Sequence, residues 1–371
     1  MRLTLVIPSL QRGGAERVMS LLAGLWAEAG HRVTLVTLNR EGPPAYFLHP
    51  SVRLRNLGLP PEPAGNFIQA GFRQLTRIRV LRMAIRESKP DVVLSFLERT
   101  NVLTLIATRA MHIPVVVSER ADPSLHDIGR LWRFLRWATY PMATRLVCQT
   151  ISTLARFQKS IRVSGSVIPN PVVPPAETIT QASEQGKTEF RLVALGRLAL
   201  EKGYDLLLEA YALIAGLHPD WSLTIIGDGP LRSELCGQAK TLKIADRVHF
   251  AGELSDPFPV LRSADLFVLS SRFEGFPNAL CEAMARGLPV ISFDCCAGPA
   301  DIIRNGVDGI LVSPQNIAEM AAVLDRLMTD ADERMRLAAR APEVLTRFSV
   351  DKILLLWEQI FEKLCQEQRY R

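Results

Sequence analysis

Short apolar runs alternate with longer stretches of helical period along most of the chain. In the first half, LTLVIPS (3–9), HRVTLVTL (31–38), VRLRNL (52–57), DVVLSF (91–96), IPVVVSE (113–119) and RLVCQT (145–150) are rich in Val, Leu, Ile and Thr. Each is bounded by Gly, Pro, Asp or Asn, which predicts strands. Between the first two, Val18, Leu21, Leu22, Leu25 and Trp26 recur on a helical period. The same alternation restarts later, with FRLVALG (190–196), WSLTIIG (221–227), RVHFAG (247–252), ADLFVLS (264–270), GLPVISF (287–293) and DGILVS (308–313) as strands. Strand–helix alternation of this kind predicts parallel, doubly wound α/β sheets.

The stretch 172–190 is Pro-, Thr-, Ser- and Gln-rich and lacks an apolar period, so it reads as a linker. The expected organisation is a Rossmann-like domain over 1–171, the linker 172–190, a second Rossmann-like domain over 191–349, and a closing helix over 350–371 packing back towards the first domain. In that helix Ile353, Leu354, Leu356, Trp357, Ile360, Phe361 and Leu364 carry the apolar period. Ligands of such sheets bind at the carboxyl ends of the strands, here expected between the two domains.

Composition narrows the class. With 48% apolar and 22% charged residues in 371, the chain can bury a core and is not a disordered protein. No run reaches the length of a transmembrane helix, and the start reads as a first strand and not as a signal peptide. The six Cys form no C-x-x-C pair and read as reduced, mostly buried thiols. Charge is divided unevenly. Residues 1–180 hold 23 Lys/Arg against 11 Asp/Glu, whereas residues 181–371 hold 21 against 27. The basic half should face something anionic: nucleic acid, a lipid surface or a phosphorylated substrate.

Three segments carry candidate chemistry, each directly after a strand. In SLQRGGAERV (9–18), Gly13 and Gly14 head a helix. They either let backbone amides approach an anion or sugar, or simply make a tight turn. In GRLALEKG (196–203), Arg197 and Lys202 could converge on a diphosphate, the alternative being solvated charge. In EGFPNALCE (274–282), Pro277 and Asn278 suit a helix start, and the amides near Asn278, Ala279 and Leu280 could hold a phosphate. Glu282 lies among Ala279, Leu280, Ala283 and Met284, where a carboxylate needs a partner.

Taken together, these segments resemble glycosyltransferase family 4, retaining enzymes of GT-B fold that use nucleotide sugars. The resemblance rests on G-R-x4-K-G at Gly196–Gly203, E-x7-E from Glu274 to Glu282, the G-D-G-P-L turn at Gly227–Leu231 and the Gly13–Gly14 loop. It implies that Arg197 and Lys202 neutralise the donor diphosphate, that Glu274 contacts the transferred sugar, and that Glu282 holds the ribose. It also implies donor contacts from Gly275, Phe276, Pro277 and the amides that follow, and closure by Gly13 and Gly14 from the other domain. VVVSERADP (115–123) and DCCAGPADIIRNGVDGILV (294–312) are similar to members that extend undecaprenyl-diphosphate-linked oligosaccharides, often from UDP-N-acetylhexosamine. Where many members carry a His, this chain has Arg120 beside Glu119, an acceptor-side or catalytic candidate pair. The resemblance therefore implies a UDP-sugar donor, a lipid-diphosphate-linked glycan acceptor, and a peripheral position on the cytoplasmic face of the inner membrane. A GT-B sugar-nucleotide epimerase and a non-catalytic nucleotide-sugar-binding scaffold are the competing readings.

The acceptor side is expected on the basic half. As a helix, GRLWRFLRWATY (129–140) would bury Leu131, Phe134, Leu135 and Ala138. Arg130, Trp132, Arg133, Arg136, Trp137 and Tyr140 would then face a membrane headgroup layer or lipid diphosphate, unless the helix is buried on both sides. RQLTRIRVLRMAIRESK (73–89) adds Arg79, Arg82 and Arg86 along one flank, anchored by Leu75, Ile78, Leu81 and Ile85. No reader motif or stacking platform accompanies this charge, so nucleic acid is not an expected partner. No metal or other cofactor is expected either. The single D-x-D, Asp330-Ala331-Asp332, lies between two predicted helices, and no zinc- or iron-type spacing occurs.

Overall fold

The computed structural model describes residues 1–40, 42–60, 67–120, 128–175, 188–254 and 256–369, without the side chains of 67–72 and 369. The chain divides into two units, Met1–Pro171 with Asp351–Arg371, and Val172–Val350. Within the 172–190 segment, 176–187 lie outside the described residues. Val172 is buried, and its amide donates to the Phe348 carbonyl at 2.9 Å.

The first unit holds strands β1 (Arg2–Ile7), β2 (Arg32–Asn39), β3 (Arg53–Leu59), β4 (Val92–Phe96), β5 (Val115–Ser118), β6 (Arg145–Cys148) and β7 (Gly165–Val167). Its helices are α1 (Gly14–Glu28), α2 (Phe67–Ser88), α3 (Glu98–Thr108), α4 (Arg130–Thr139) and α5 (Ile151–Ser160). All ladders are parallel, in the order β3-β2-β1-β4-β5-β6-β7. Helices cover both faces, so β4 and, past the exposed Arg2, β1 are nearly continuous apolar runs that are buried, whereas edge strand β3 leaves Arg53 and Leu54 exposed. Strand β1 ends at Ile7 because Pro8 has no N–H for the ladder. The unanticipated β7 is three half-buried residues with no apolar run to announce it.

The second unit holds β8 (Phe190–Leu195), β9 (Trp221–Ile226), β10 (Val248–Gly252), β11 (Leu266–Leu269), β12 (Val290–Phe293) and β13 (Ile310–Val312). Its helices are α6 (Tyr204–Ile214), α7 (Arg232–Thr241), α8 (Phe258–Arg262), α9 (Asn278–Ala285), α10 (Pro299–Ile302), α11 (Ile317–Thr329), α12 (Ala331–Arg340) and α13 (Val344–Arg347). Its sheet runs β10-β9-β8-β11-β12-β13, again all parallel. Asp330 of the D-x-D is the N-cap of α12, its Oδ1 accepting from the Glu333 amide at 2.8 Å.

Strand order reverses between β1 and β4 in one sheet and between β8 and β11 in the other. Such switch points open a crevice at the strands' carboxyl ends, because successive connections leave to opposite faces. The Gly13–Gly14 loop follows β1. The 196–203 and 270–277 loops follow β8 and β11.

The last helix, α14 (Val350–Arg369), completes the core of the first unit. Ile353, Trp357, Phe361 and Leu364 are buried in the cluster that contains Leu3, Leu22 and Trp26. The Trp26 ring meets Trp357 edge-on at 6.0 Å and Phe361 at 5.3 Å. Truncating a buried Trp costs both its transfer energy and a cavity. Trp357→Ala is therefore expected to destabilise the first unit by about 3–5 kcal/mol, read as a lowered midpoint in chemical denaturation.

Candidate active site

In the second unit, the 196–203 and 270–274 loops are bound to each other. The Ser270 hydroxyl donates to the Lys202 carbonyl at 2.9 Å, and the Arg272 amide donates to the Glu201 carbonyl at 2.8 Å. The Arg272 guanidinium adds a bond to the Leu200 carbonyl at 2.9 Å and two bonds to Asp205 at 2.7 and 2.5 Å. Gly203 sits at φ +62, and a Cβ there would lie 2.1 Å from the Ser270 carbonyl oxygen. Only glycine permits that approach of backbone to backbone. On the other side, Gly227 of the G-D-G-P-L turn has φ +139, and a Cβ would lie 2.0 Å from the Gly196 carbonyl. The turn accordingly buttresses the Arg197 loop, with Leu198 N–H donating to Asp228 O and Leu231 N–H to Leu198 O.

This bracing brings Lys202 to Glu274. Lys202 Nζ is 2.7 Å from Glu274 Oε1, and the Ser271 hydroxyl donates to the same oxygen at 2.6 Å. The Glu274 side chain is largely buried and Lys202 is partly exposed, so the pair lies at the rim of the site. Tyr204 and Cys295 lie close enough to feel the carboxylate. Burial and then Glu274 push the Tyr204 hydroxyl up, and the same two causes lift the Cys295 thiol to about 12. Arg197 is exposed on the same loop.

Helix α9 begins at Asn278 with Pro277 as its N-cap and no side-chain cap bond. Its first amides are thus suited to an anion. Phe276 is buried, ring edge-on to Phe348 at 5.4 Å, which fixes the loop before the helix. Gly298 packs against Pro277 and Gly275. Behind α9, Asp308 is fully buried between Arg304 at 2.7 Å and Arg347 at 3.4 Å. Glu282 is half-buried on α9, which turns Leu280, Cys281, Ala283 and Met284 inward. Ser271, Tyr204, Arg272 and Cys295 were not singled out from the sequence; their only signal there is proximity to the two motifs.

In the first unit, the Gly13 amide donates to the Tyr46 hydroxyl at 3.1 Å, and Gly14 opens α1. Glu119 and Arg120 separate. Glu119 is buried and accepts a hydrogen bond from the Tyr140 hydroxyl. Asn101 Nδ2 donates to Tyr140 Oη at 3.1 Å and to the Ser118 carbonyl at 3.0 Å, while its Oδ1 accepts from Ser95 at 2.7 Å. Burial and the neighbouring Glu119 raise the Tyr140 hydroxyl well above its ordinary value. Arg120 stacks over the Phe96 ring at 4.2 Å and donates to Asn170 Oδ1. Burial pulls its guanidinium down to about 9, with Glu16 acting in the opposite sense. Residues 121–123 of the VVVSERADP segment lie outside the described residues.

The basic helices correct the expected face of α4. Tyr140 is 0% exposed, Arg136 is 8% exposed and stacks over Phe157 at 5.2 Å, and Trp132 is half-buried beneath Arg99. Leu131 and Phe134, expected inside, are outside with Trp137, and Arg133 is exposed. The inner side joins Trp132 and Leu135, packed against the core as Leu135 was expected to be, with Arg136 over Phe157 and Tyr140 on its polar partners. On α2, Arg79 and Arg86 are exposed, and Arg82 donates to the Arg109 carbonyl at 2.9 Å. Leu81 and Ile85 are buried, Ile78 is half-buried, and Leu75 is exposed instead of anchoring the helix.

Comparison with known proteins agrees with this layout. Residues 12–174 match Glycosyltransferase Family 4 and residues 175–344 match Glycosyl transferases group 1. A Campylobacter jejuni N-acetylgalactosaminyltransferase named for an undecaprenyl-diphosphate-linked glycan is 28% identical over 98% of this chain and 99% of its own. The lipopolysaccharide core biosynthesis glycosyltransferase LpsE of Rhizobium meliloti is 29% identical over 92% of this chain and 93% of its own. An exopolysaccharide phosphotransferase of Streptomyces coelicolor is 31% identical over 83% of this chain, which spans only 32% of that protein's length. Among solved structures, Anabaena HepE in complex with UDP superposes with a TM-score of 0.79 at 19% identity, covering 98% of this chain and 100% of that one. The two family matches run almost end to end over two parallel α/β units: the chain belongs to the family 4 glycosyltransferases of GT-B fold.

Proposed function

We propose that the protein is a retaining glycosyltransferase that moves a hexose or N-acetylhexosamine from a UDP-sugar onto a lipid-diphosphate-linked glycan. The setting is assembly of a cell-surface polysaccharide, lipopolysaccharide or glycoprotein glycan, at the cytoplasmic face of the inner membrane. The observation that carries this reading is the Lys202–Glu274 pair at 2.7 Å, beside Arg197's loop and the α9 amino end. The names of the C. jejuni and R. meliloti relatives support the acceptor class, and the UDP complex of HepE supports the nucleotide.

In this reading the chemistry is charge management. Breaking the sugar–phosphate bond leaves negative charge on the diphosphate and oxocarbenium character on the sugar. Lys202, Arg197 and the first α9 amides supply fixed positive potential where the leaving charge grows. Glu282 accepts from the ribose hydroxyls. Glu274 Oε1 is already occupied by Lys202 and Ser271, which makes it a poor nucleophile and leaves Oε2 to position a sugar hydroxyl. Retention then follows from same-face attack assisted by the leaving phosphate, and no metal is needed. Arg120, held over Phe96, and the buried Glu119 that anchors its strand end belong to the acceptor side.

Release of UDP, GDP or ADP from a panel of sugar nucleotides, with and without lipid extract, tests the reading. Lipid-dependent UDP release supports it. Lipid-independent epimerisation of the donor points to an epimerase, and donor binding without turnover points to a scaffold. Arg197→Ala or Lys202→Ala is expected to lower kcat roughly 100-fold, with the fold intact by melting curve. For Glu282→Gln the loss should fall mainly on donor KM, by about 1.5–3 kcal/mol, because the hydrogen bonds lose charge assistance. Chelator is expected to leave turnover unchanged, and a strict Mg²⁺ requirement for donor binding would contradict the proposed charge balance.

A further inference from the structure

Four tyrosines lie in the described residues, and the hydroxyls of three have protein partners. Tyr46 accepts from the Gly13 amide at 3.1 Å, Tyr140 lies between Asn101 and Glu119, and Tyr211 donates to the Trp221 carbonyl at 2.9 Å. Tyr204 is the exception. Among the described residues its hydroxyl has no hydrogen bond, although the residue is only 4% exposed. Tyr204 opens α6 directly after Lys202 and Gly203, and its ring belongs to the core cluster with Leu207, Leu208 and Tyr211. A phenylalanine would fill that space without a polar atom, whereas a buried hydroxyl left unpaired is destabilising. The position of the oxygen points to what it serves. A Cβ on Gly196 would lie 3.0 Å from Tyr204 Oη and 3.4 Å from Lys202 Cε. The hydroxyl and the lysine stem thus flank the same bare backbone, at the glycine that opens G-R-x4-K-G. Gly196 and Lys202 are both partly exposed, so the hydroxyl lies just beneath the open side of the loop. Burial and the nearby Glu274 charge keep the phenol protonated. A neutral O–H in this place, with no protein acceptor, is arranged to donate to an oxygen brought by a ligand.

We propose that the Tyr204 hydroxyl is a further donor-binding group, donating its hydrogen bond to the phosphate that bears the sugar. The inference rests on the glycosyltransferase reading and deepens it. Of the two phosphates, the sugar-bearing one is assigned because Glu274, whose charge reaches Tyr204, is the residue which that reading gives to the sugar. A hydroxyl of the sugar is a poorer acceptor, since a charged phosphate oxygen makes the stronger bond. The phenol supplies a fixed dipole at the oxygen that gains charge as the sugar leaves, without adding another cation to the loop.

Tyr204→Phe deletes the oxygen and keeps the ring. Calorimetry with UDP and with UMP, alongside a melting curve without nucleotide, tests the assignment on the full chain. UDP affinity should fall roughly tenfold or more in the variant. UMP affinity should be unchanged, because UMP lacks the sugar-bearing phosphate. The nucleotide-free melting temperature should stay the same or rise, since the hydroxyl has no protein partner to lose. A lowered melting temperature would show a hydroxyl bonded within the core and overturn the inference. Equal UDP affinity in wild type and variant overturns it too, and leaves the glycosyltransferase reading intact. An equal loss for UDP and UMP overturns the assignment to the sugar-bearing phosphate. If wild type binds none of UDP, GDP and ADP, the glycosyltransferase reading itself fails and the inference falls with it.

Discussion

The candidate site depends on one ion pair between side chains 72 residues apart, Lys202 and Glu274. They meet because β8 and β11 are neighbours in the sheet although α6, α7, α8 and two strands intervene in sequence. A parallel neighbour brings the two strand ends to one edge, and the loops leaving that edge are then braced by backbone contacts. Gly203 against Ser270 and Gly227 against Gly196 allow an approach that any side chain would block. Without that bracing, a flexible lysine would lose rotamer entropy to pair with a carboxylate at the rim, and the net gain would be small. The fold thus orders Lys202 against Glu274 before any ligand arrives.

The first unit uses buried polarity for a similar end. The chain of hydrogen bonds from Ser95 through Asn101 and Tyr140 to Glu119 ties the ends of β4 and β5 to the start of α3 and the end of α4. With these partners satisfied, the carboxylate can remain buried. Arg120, the next residue, is held at the strand end, its guanidinium over Phe96 and bonded to Asn170 Oδ1. The arrangement explains why α4 faces the way it does. Tyr140 must reach Glu119, which rotates Arg136 inward and Leu131, Phe134 and Trp137 outward.

The strands were legible because a sheet covered on both faces needs continuous apolar runs, and Gly, Pro, Asp and Asn mark their ends. The glycine motifs were legible for a related reason: a doubly wound sheet places its ligand loops directly after particular strands. Strand β7 was not, since three half-buried residues leave no periodic trace. The inner face of α4 was not legible, because apolar residues stand on both sides of the helix, Leu131, Phe134 and Trp137 outside and Trp132 and Leu135 against the core. A buried tyrosine with a carboxylate partner and an arginine stacked on Phe157 join the core side, and neither partner is near in sequence. The pairing of Lys202 with Glu274 was likewise invisible to spacing. The two motifs pointed to one ligand, but not to each other.

That pairing has a direct consequence for the donor. A diphosphate must draw Lys202 away from Glu274, so the carboxylate should oppose binding of the nucleotide alone while serving transfer of the sugar. Calorimetric affinity for UDP and turnover of the UDP-sugar, measured side by side for wild type and Glu274→Gln, separate these roles. The account predicts that Glu274→Gln binds UDP as tightly as wild type or more tightly and turns the sugar donor over far more slowly. Weaker UDP binding with unchanged turnover would contradict it.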